Sequence, residues 1–213
     1  MILSSLPFIA YDTSNLPDVV IQELLDKNNF IPSSLTYNNR SVNLNNSKRS
    51  SETHHLTYHE TQTIFNLLNS RISELYSDSY SFDCVEIAQI TKYEKGQEFK
   101  PHLDFEANPD RRYFIKSFPK AKHLAITNDR IATIILYLND DFEGGTTDFP
   151  LLNIDIKPHK GNFLYFKYKE KNSVADLTLH RGTPVISGTK KILTIWIDES
   201  TSFHNIEINE DNE

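Results

Sequence analysis

The stretch His180-Arg-Gly-Thr-Pro-Val-Ile-Ser-Gly-Thr-Lys190-Lys-Ile-Leu-Thr-Ile-Trp-Ile197 contains a turn signal between two strand-like runs. Glycine and proline mark the turn, and β-branched residues dominate the run that follows it. The pattern predicts one strand over 173–180 and a second over 191–197. We expect the turn to fold the chain back, so that Lys190 returns close to His180 on a neighbouring strand.

A second motif places a histidine and an aspartate two positions apart. Glu86-Ile-Ala-Gln-Ile-Thr-Lys-Tyr93 alternates apolar and polar residues like a half-buried strand, and Gly96 then allows a turn. His102 and Asp104 follow that turn. On an extended backbone, residues two apart point to the same face, so both side chains should lie together.

These polar residues match the chemistry of a mononuclear iron site. Two histidines and one carboxylate can bind one face of Fe(II) and leave the remaining positions open. His102, Asp104 and His180 provide that set, and Lys190 adds a cation suited to a dicarboxylic co-substrate. A lone histidine is more often a surface or core residue. The prediction therefore depends on all four residues occurring together, in order, within predicted strands.

Several blocks of the chain resemble the catalytic domain of the prolyl 4-hydroxylases. The resemblance covers about 86–198 and keeps its blocks in order, whereas the N-terminal part matches only loosely, through Lys48-Arg49-Ser50 and Leu56. The blocks are Tyr93-Glu-Lys-Gly-Gln-Glu-Phe-Lys-Pro-His-Leu-Asp104, Asn128-Asp-Arg-Ile-Ala-Thr133, Leu136-Tyr-Leu-Asn139, Glu143-Gly-Gly-Thr-Thr-Asp-Phe-Pro150 and the stretch from His180 to Ile197.

The resemblance implies both a fold and an activity. The fold is α+β, with a double-stranded β-helix (jelly-roll) core and N-terminal supporting helices. The activity is that of an Fe(II)- and 2-oxoglutarate-dependent dioxygenase, which uses O₂ to hydroxylate prolyl residues in a peptide or protein and releases succinate and CO₂. Ascorbate is the expected reductant.

The resemblance also implies roles for single residues. His102, Asp104 and His180 match the iron ligands, and Lys190 matches the lysine that binds the far carboxylate of 2-oxoglutarate. Tyr93 and Thr147 match positions that hydrogen-bond the co-substrate. Arg130 and Trp196 match positions near the peptide groove.

The chain departs from the family pattern around the predicted substrate. Phe99 stands where many members carry a tyrosine, Leu103 replaces an aromatic residue between the ligands, and the charged stretch 108–122 is longer than the motif needs. A dioxygenase of a free amino acid or another small molecule is therefore an alternative. A non-catalytic binding module of the same fold is a further one, although an intact ligand set with Lys190 argues against it.

We expect one dioxygenase domain over 1–213, since a chain of this length can bury a substantial core. Within it, about 1–80 should be helical support with a mobile loop, about 82–198 the jelly-roll core and 199–213 a polar acidic tail.

Helical spacing predicts helices over 16–25 and 57–75, the second with a stripe of Ile64, Leu67, Leu68, Ile72 and Leu75. The Ser- and Asn-rich segment 33–51 is predicted to be a mobile loop or a lid over peptide. From Cys84 onward, short runs separated by turns favour an antiparallel sandwich or barrel.

Composition narrows the class of protein. The net charge of −7 argues against a nucleic-acid partner, and no run approaches the ~20 apolar residues of a membrane span. Cys84, the only cysteine, excludes an internal disulfide and is predicted to be a small core residue. The first ten residues lack a basic segment and make a poor signal peptide. We expect a cytoplasmic protein. His54, His55 and His59 are predicted to be surface residues. The sequence does not indicate an oligomeric state.

Overall fold

The computed structural model of the chain describes residues 8–33, 35–37, 40–42, 49–104, 130–168 and 175–198. Its helices are α1 (Asp18–Leu25) and α2 (Tyr58–Tyr76), and short 3₁₀ turns cover Phe82–Cys84 and Ala175–Thr178. Its strands are β1 (Ile9–Thr13), β2 (Ile31–Pro32), β3 (Leu35–Tyr37), β4 (Arg40–Val42), β5 (Glu52–His55), β6 (Gln89–Tyr93), β7 (Phe99–His102), β8 (Arg130–Tyr137), β9 (Glu143–Gly144), β10 (Thr147–Phe149), β11 (Ile154–Ile156), β12 (Asn162–Lys167), β13 (His180–Gly182), β14 (Val185–Ser187) and β15 (Lys190–Asp198).

Two antiparallel sheets form the core. The larger one has the order β1-β12-β8-β15-β6-β5-β2, and the smaller one has the order β11-β10-β13-β7. One hydrophobic cluster joins them, with Ile135, Leu164 and Phe166 from the larger sheet and Phe149 and Ile156 from the smaller. This arrangement confirms the predicted α+β fold with a jelly-roll core.

The central strands of the larger sheet are buried on both faces. Along β8, Ile135 and Tyr137 pack toward the smaller sheet, whereas Ile134 and Leu136 pack into the cluster that contains the helices. Side chains alternate between the faces of a strand, so a strand covered on both sides reads as a continuous apolar run. The sequence Ile131-Ala-Thr-Ile-Ile-Leu-Tyr137 is such a run.

The helices cover the outer face of the larger sheet, as predicted. Thr57 caps α2 with a capping box, in which its hydroxyl accepts from the Glu60 amide and the Glu60 carboxylate accepts from the Thr57 amide. The predicted apolar stripe is wrong at Leu67, which is 43% exposed, because Phe65 occupies the core-facing position instead. Cys84 is half-buried at the edge of the same core.

The strands at the C-terminal end differ from the prediction in two ways. Residues 175–178 form a 3₁₀ turn, so β13 begins only at His180. The turn after β13 leads into β14, which pairs with β9, and Gly188, with φ +79°, then directs the chain into the larger sheet. His180 and Lys190 therefore lie in different sheets, and the prediction that they lie on neighbouring strands is wrong.

Other predicted segments are described only in part. Within 33–51, β3 and β4 pair antiparallel, and the mobile loop or lid predicted for this segment stays a prediction. The stretch 108–122 and the tail 199–213 lie outside the described residues, and the division of 1–213 into support, core and tail stays a prediction. In the part of the chain that the structure describes, neither helix is long and apolar enough to cross a membrane.

Candidate metal centre

His102, Asp104 and His180 come together where the smaller sheet pairs β13 with β7. His180 lies opposite His102 in that pairing, and Asp104 follows β7 by two residues. One donor atom from each side chain lies within 4.8 Å of the others. Among the described residues, this is the only such group of histidine, cysteine and acidic side chains. The three predicted ligands are therefore adjacent, although His180 is far from His102 and Asp104 in sequence.

Both histidines are oriented by a backbone carbonyl. Nδ1 of His102 lies 2.8 Å from the Lys100 carbonyl oxygen, and Nδ1 of His180 lies 2.9 Å from that of Thr178. A proton on each Nδ1 would donate to these oxygens, which leaves the Nε2 lone pairs available. The Nε2 atoms lie 3.4 and 3.8 Å from the two carboxylate oxygens of Asp104. This orientation of ligand atoms fits a divalent metal.

One oxygen of Asp104 is held by two neutral donors. The hydroxyl of Thr133 and the indole Nε1 of Trp196 each donate to Oδ2 over 3.0 Å. The other oxygen, Oδ1, faces Nε2 of His102. The carboxylate is buried, so these bonds fix its orientation in the absence of solvent.

The protonation states suit a metal site. Burial lowers the pKa of His180 to about 4, with His102 adding to the effect and Asp104 opposing it, so its imidazole is neutral at pH 7. Burial alone would raise the pKa of Asp104, but His180, His102 and Arg130 together hold it well below the ordinary range. The centre therefore offers a neutral imidazole at His180 and an ionised carboxylate at Asp104, which are the forms that metal binding requires.

Arg130 and Trp196 support Asp104 from the larger sheet. The Arg130 guanidinium donates to both carboxylate oxygens of Glu86, at 2.5 and 3.0 Å, and to the backbone carbonyl of Asp104 at 3.3 Å. It also lies over the Trp196 ring, with Cζ 4.1 Å from the ring centroid. These contacts hold Asp104 in place. The role of both residues at a peptide groove stays a prediction.

Lys190 is a buried amine, and none of the acidic residues that the structure describes forms an ion pair with it. Only 3% of the residue is exposed, and its ammonium donates to the Gly145 carbonyl over 2.6 Å. No carboxylate within the described ranges pairs with it, and burial lowers its pKa to about 7. Gly145 has φ +60°, and a Cβ there would approach the lysine side chain to 3.1 Å, so glycine suits this contact. A buried amine of this kind is suited to an anionic ligand.

Tyr93 and Tyr137 lie close to Lys190, and Tyr137 connects to Thr147, whereas the co-substrate contacts of Tyr93 and Thr147 that the resemblance implies stay a prediction. The Lys190 ammonium is 5.6 Å from the ring centroid of Tyr93 and 5.8 Å from that of Tyr137. The Tyr137 hydroxyl donates to Thr147 over 2.8 Å. Thr147 in turn pairs with Gly182, two residues after His180. This pairing connects the surroundings of the lysine to the metal centre.

Phe99, the departure from the family pattern, packs directly on a predicted ligand. Its ring stacks on the His102 imidazole with centroids 3.6 Å apart and planes 19° apart. The guanidinium of Arg49 lies over the same Phe99 ring at 4.9 Å. The missing hydroxyl therefore leaves an apolar surface beside the metal centre.

Sequence reasoning missed several residues that complete the site. Thr133 and Tyr137 lie in quoted blocks, and Glu86 begins the predicted strand 86–93. Such apolar runs do not reveal which of their residues make polar contacts. Tyr168, which follows β12 directly and lies outside every block, contacts Thr133. No signal in the sequence marks that contact.

Comparison with known proteins places these residues in a family context. A family profile described as the 2OG-Fe(II) oxygenase superfamily matches residues 88–198. Prolyl 4-hydroxylase 1 of Arabidopsis thaliana is 32% identical over 131 residues, which is 55% of this chain and 42% of that protein. Prolyl 4-hydroxylase subunit alpha-1 of Bos taurus is 30% identical over 133 residues, 62% of this chain and 23% of that protein. The chain thus spans less than half the length of these relatives.

Solved structures agree with this comparison. A viral collagen prolyl hydroxylase from Paramecium Bursaria Chlorella virus-1, solved with 2-oxoglutarate, has a TM-score of 0.64 and 26% identity, covering 91% of this chain and 97% of that one. A prolyl hydroxylase from Trichoplax adhaerens has a TM-score of 0.59 at 18% identity, covering 92% of this chain and 85% of that one. The second likeness concerns the fold alone.

Proposed function

The chain belongs to the 2OG-Fe(II) oxygenase superfamily, and from this premise we propose that it hydroxylates prolyl residues in a peptide or protein, with 2-oxoglutarate and O₂ as co-substrates. Succinate and CO₂ would be the co-products. The observation that carries the proposal is the pairing of one metal-binding group, His102, Asp104 and His180, with a buried lysine that no described carboxylate neutralises. A binding module that had lost catalysis would have no need to keep both.

The residues of the centre fit Fe(II). Two imidazole nitrogens and one carboxylate oxygen are the donors of a facial ligand set, and both Nδ1 atoms are already engaged with backbone carbonyls. Bound Fe(II) and 2-oxoglutarate would supply the oxidising chemistry, and the protein would supply binding and orientation. We assign His102, Asp104 and His180 to the metal.

Lys190 would bind the far carboxylate of 2-oxoglutarate. In its protonated form the ammonium places a positive charge in a site where burial strengthens electrostatic attraction. Thr147 would provide a hydroxyl contact, oriented by the bond from Tyr137, and Tyr93 would line the same pocket. A dicarboxylate reaching from Lys190 to the metal centre would relieve the unfavourable burial of the lysine charge.

The surroundings of the centre would limit water during the reaction. Phe99 stacks on His102, and Phe166 packs its edge against His180 with ring centroids 4.9 Å apart. A dry site protects a reactive oxidant from side reactions. We further propose ascorbate as the reductant that keeps the metal as Fe(II), and a cytoplasmic setting, in which reduced iron and the free thiol of Cys84 are easiest to maintain.

A second candidate keeps the chemistry and changes the substrate. Phe99 offers no hydroxyl to a peptide at a position where many prolyl 4-hydroxylases carry tyrosine, and it leaves an apolar wall beside His102. A small amino acid could rest on such a wall without any peptide groove. We therefore keep a dioxygenase of free amino acids as the alternative.

The two candidates predict different products. With Fe(II), 2-oxoglutarate and ascorbate, we expect a panel of proline-containing peptides to gain the mass of one oxygen atom, and free proline and free lysine to remain unchanged. Mass spectrometry of each reaction measures this directly. The matched controls are the same peptides with each proline replaced by alanine. Turnover of a free amino acid without turnover of any proline peptide would favour the alternative.

A further inference from the structure

Asp104 is linked to a buried tyrosine through one intervening hydroxyl. The Thr133 hydroxyl donates to Oδ2 of Asp104 over 3.0 Å, and the same Thr133 oxygen lies in hydrogen-bond contact with the Tyr168 hydroxyl. Thr133 is fully buried and Tyr168 is 2% exposed, so solvent does not replace either bond. The three groups are connected by hydrogen bonds from the hydrophobic cluster between the two sheets to the predicted metal ligand Asp104.

The direction of donation along these two hydrogen bonds follows from the number of protons that each hydroxyl can donate. A hydroxyl has one proton to donate and two lone pairs to accept with. Thr133 gives its proton to the carboxylate, so the contact with Tyr168 requires the phenol to be the donor. Burial, with Asp104 adding to it, raises the pKa of Tyr168, so the phenol keeps that proton. Each donation polarises the next bond and strengthens it.

Tyr168 is held in place independently of Thr133. Its amide donates to the Ile131 carbonyl over 2.9 Å, which extends the pairing of β12 with β8 by one residue. Its ring meets the edge of Phe166 with centroids 5.6 Å apart, and Phe166 itself packs on His180. The position of the phenol is therefore fixed by the sheet.

We propose that Tyr168 is a positioning residue of the metal centre, acting through Thr133 to hold Oδ2 of Asp104 away from the metal and to present Oδ1. Trp196 donates a second hydrogen bond to Oδ2, so two donors engage this oxygen, which lies 3.8 Å from Nε2 of His180, whereas Oδ1 lies 3.4 Å from Nε2 of His102. The carboxylate then offers a single ligand atom, which leaves the remaining coordination positions for other groups. This inference rests on the proposed metal site.

The test is a titration of metal-free protein with Co²⁺, followed by its visible absorption. Partners that orient a ligand typically contribute 10- to 100-fold to metal affinity, so Thr133→Val should raise the Kd for Co²⁺ by roughly tenfold or more. Tyr168→Phe removes only the phenol oxygen and should raise it by about 3- to 10-fold, the net contribution of one neutral hydrogen bond. Thr133→Ser keeps the hydroxyl and should restore most of the affinity.

A double variant separates positioning from general stability. Because Tyr168 acts through Thr133, Tyr168→Phe should change the Kd no further in the Thr133→Val background. Tyr165→Phe is the matched control, since it removes a buried phenol oxygen three residues before Tyr168, where the hydroxyl donates to Asp78 over 2.9 Å on the other face of the sheet. It should lower the melting temperature and leave the Kd unchanged.

Two results would overturn the inference alone: an unchanged Kd in Tyr168→Phe, or an equal increase in both backgrounds. A different result concerns the proposed function. If the unsubstituted protein binds no Co²⁺, or if His180→Ala binds it equally well, the metal site itself is wrong and the inference is overturned with it.

Discussion

Replacing His180 by alanine should abolish Fe(II) binding and 2-oxoglutarate turnover together. The variant removes one of three donors whose atoms lie within 4.8 Å of one another. We expect metal affinity to fall by more than the roughly 10- to 100-fold that loss of an outer partner causes. His102→Ala should give the same result. Binding of Fe(II) under anaerobic conditions, measured by equilibrium dialysis, checks the loss separately from activity.

The two variants also control for unfolding. His180 is buried against Phe149 and Phe166, so its replacement by alanine leaves a cavity, whereas His102 is half-buried and its replacement should cost less stability. His159→Ala, at an exposed histidine, should retain both metal and turnover. Full activity in either ligand variant would require a different metal site.

Replacing Lys190 by methionine should raise the half-saturating concentration of 2-oxoglutarate by roughly 10- to 100-fold while Fe(II) remains bound. The variant keeps an unbranched side chain and removes the charge, and a charge-assisted hydrogen bond contributes about 1.5–3 kcal/mol. The affinity of the unsubstituted protein should fall as the pH rises above about 7, because the lysine then loses its proton before it binds the carboxylate. Succinate production against 2-oxoglutarate concentration measures both effects.

The same variant should be more stable than the unsubstituted protein without co-substrate. Burial lowers the pKa of Lys190 from 10.5 to about 7, so between these values the unfolded chain holds a proton that the folded chain lacks. The free energy of unfolding should therefore rise with pH across this window, and Lys190→Met should remove that contribution. At pH 7 we expect a gain on the order of 1–3 kcal/mol, since each pKa unit corresponds to about 1.4 kcal/mol and the bond to Gly145 is lost.

Lys191 provides the matched control for both measurements. Its ammonium donates to the Leu25 carbonyl at the C-terminal end of α1 over 2.5 Å, and it points away from the site. Lys191→Met should lower stability through loss of that contact and leave the half-saturation unchanged. An unchanged half-saturation in Lys190→Met would reassign Lys190 to a structural role.

The grouping of the predicted ligands could be anticipated because it depends on local geometry. His102 and Asp104 are two residues apart, at the end of β7 and just after it, which keeps their side chains near one another whatever the rest of the fold does. The apolar run of β8 likewise indicates a buried strand, and the glycines before Thr147 indicate a turn. The assembly of these pieces with His180 was suggested by order and resemblance, and the pairing of β13 with β7 gives it a physical basis.

Contacts that depend on packing between sheets could not be anticipated. The sequence predicts His180 and Lys190 on neighbouring strands, but the short strand β14 separates them and pairs with β9. The groove role that the resemblance implies for Arg130 and Trp196 stays a prediction, and their contacts with Glu86 and Asp104 carry no signal in the sequence. Periodicity identifies the buried face of a strand, but it does not specify which buried hydroxyl or guanidinium meets which acceptor.

The most direct test of the central claim is a reaction in O₂ labelled with a heavy oxygen isotope, with Fe(II), 2-oxoglutarate and a proline-containing peptide that the protein hydroxylates. We predict one labelled oxygen in succinate and one in the hydroxylated peptide, formed in equal amounts. The ratio separates coupled turnover from decarboxylation alone. Peptide hydroxylation that proceeds without 2-oxoglutarate, or whose oxygen comes from water, would contradict the account.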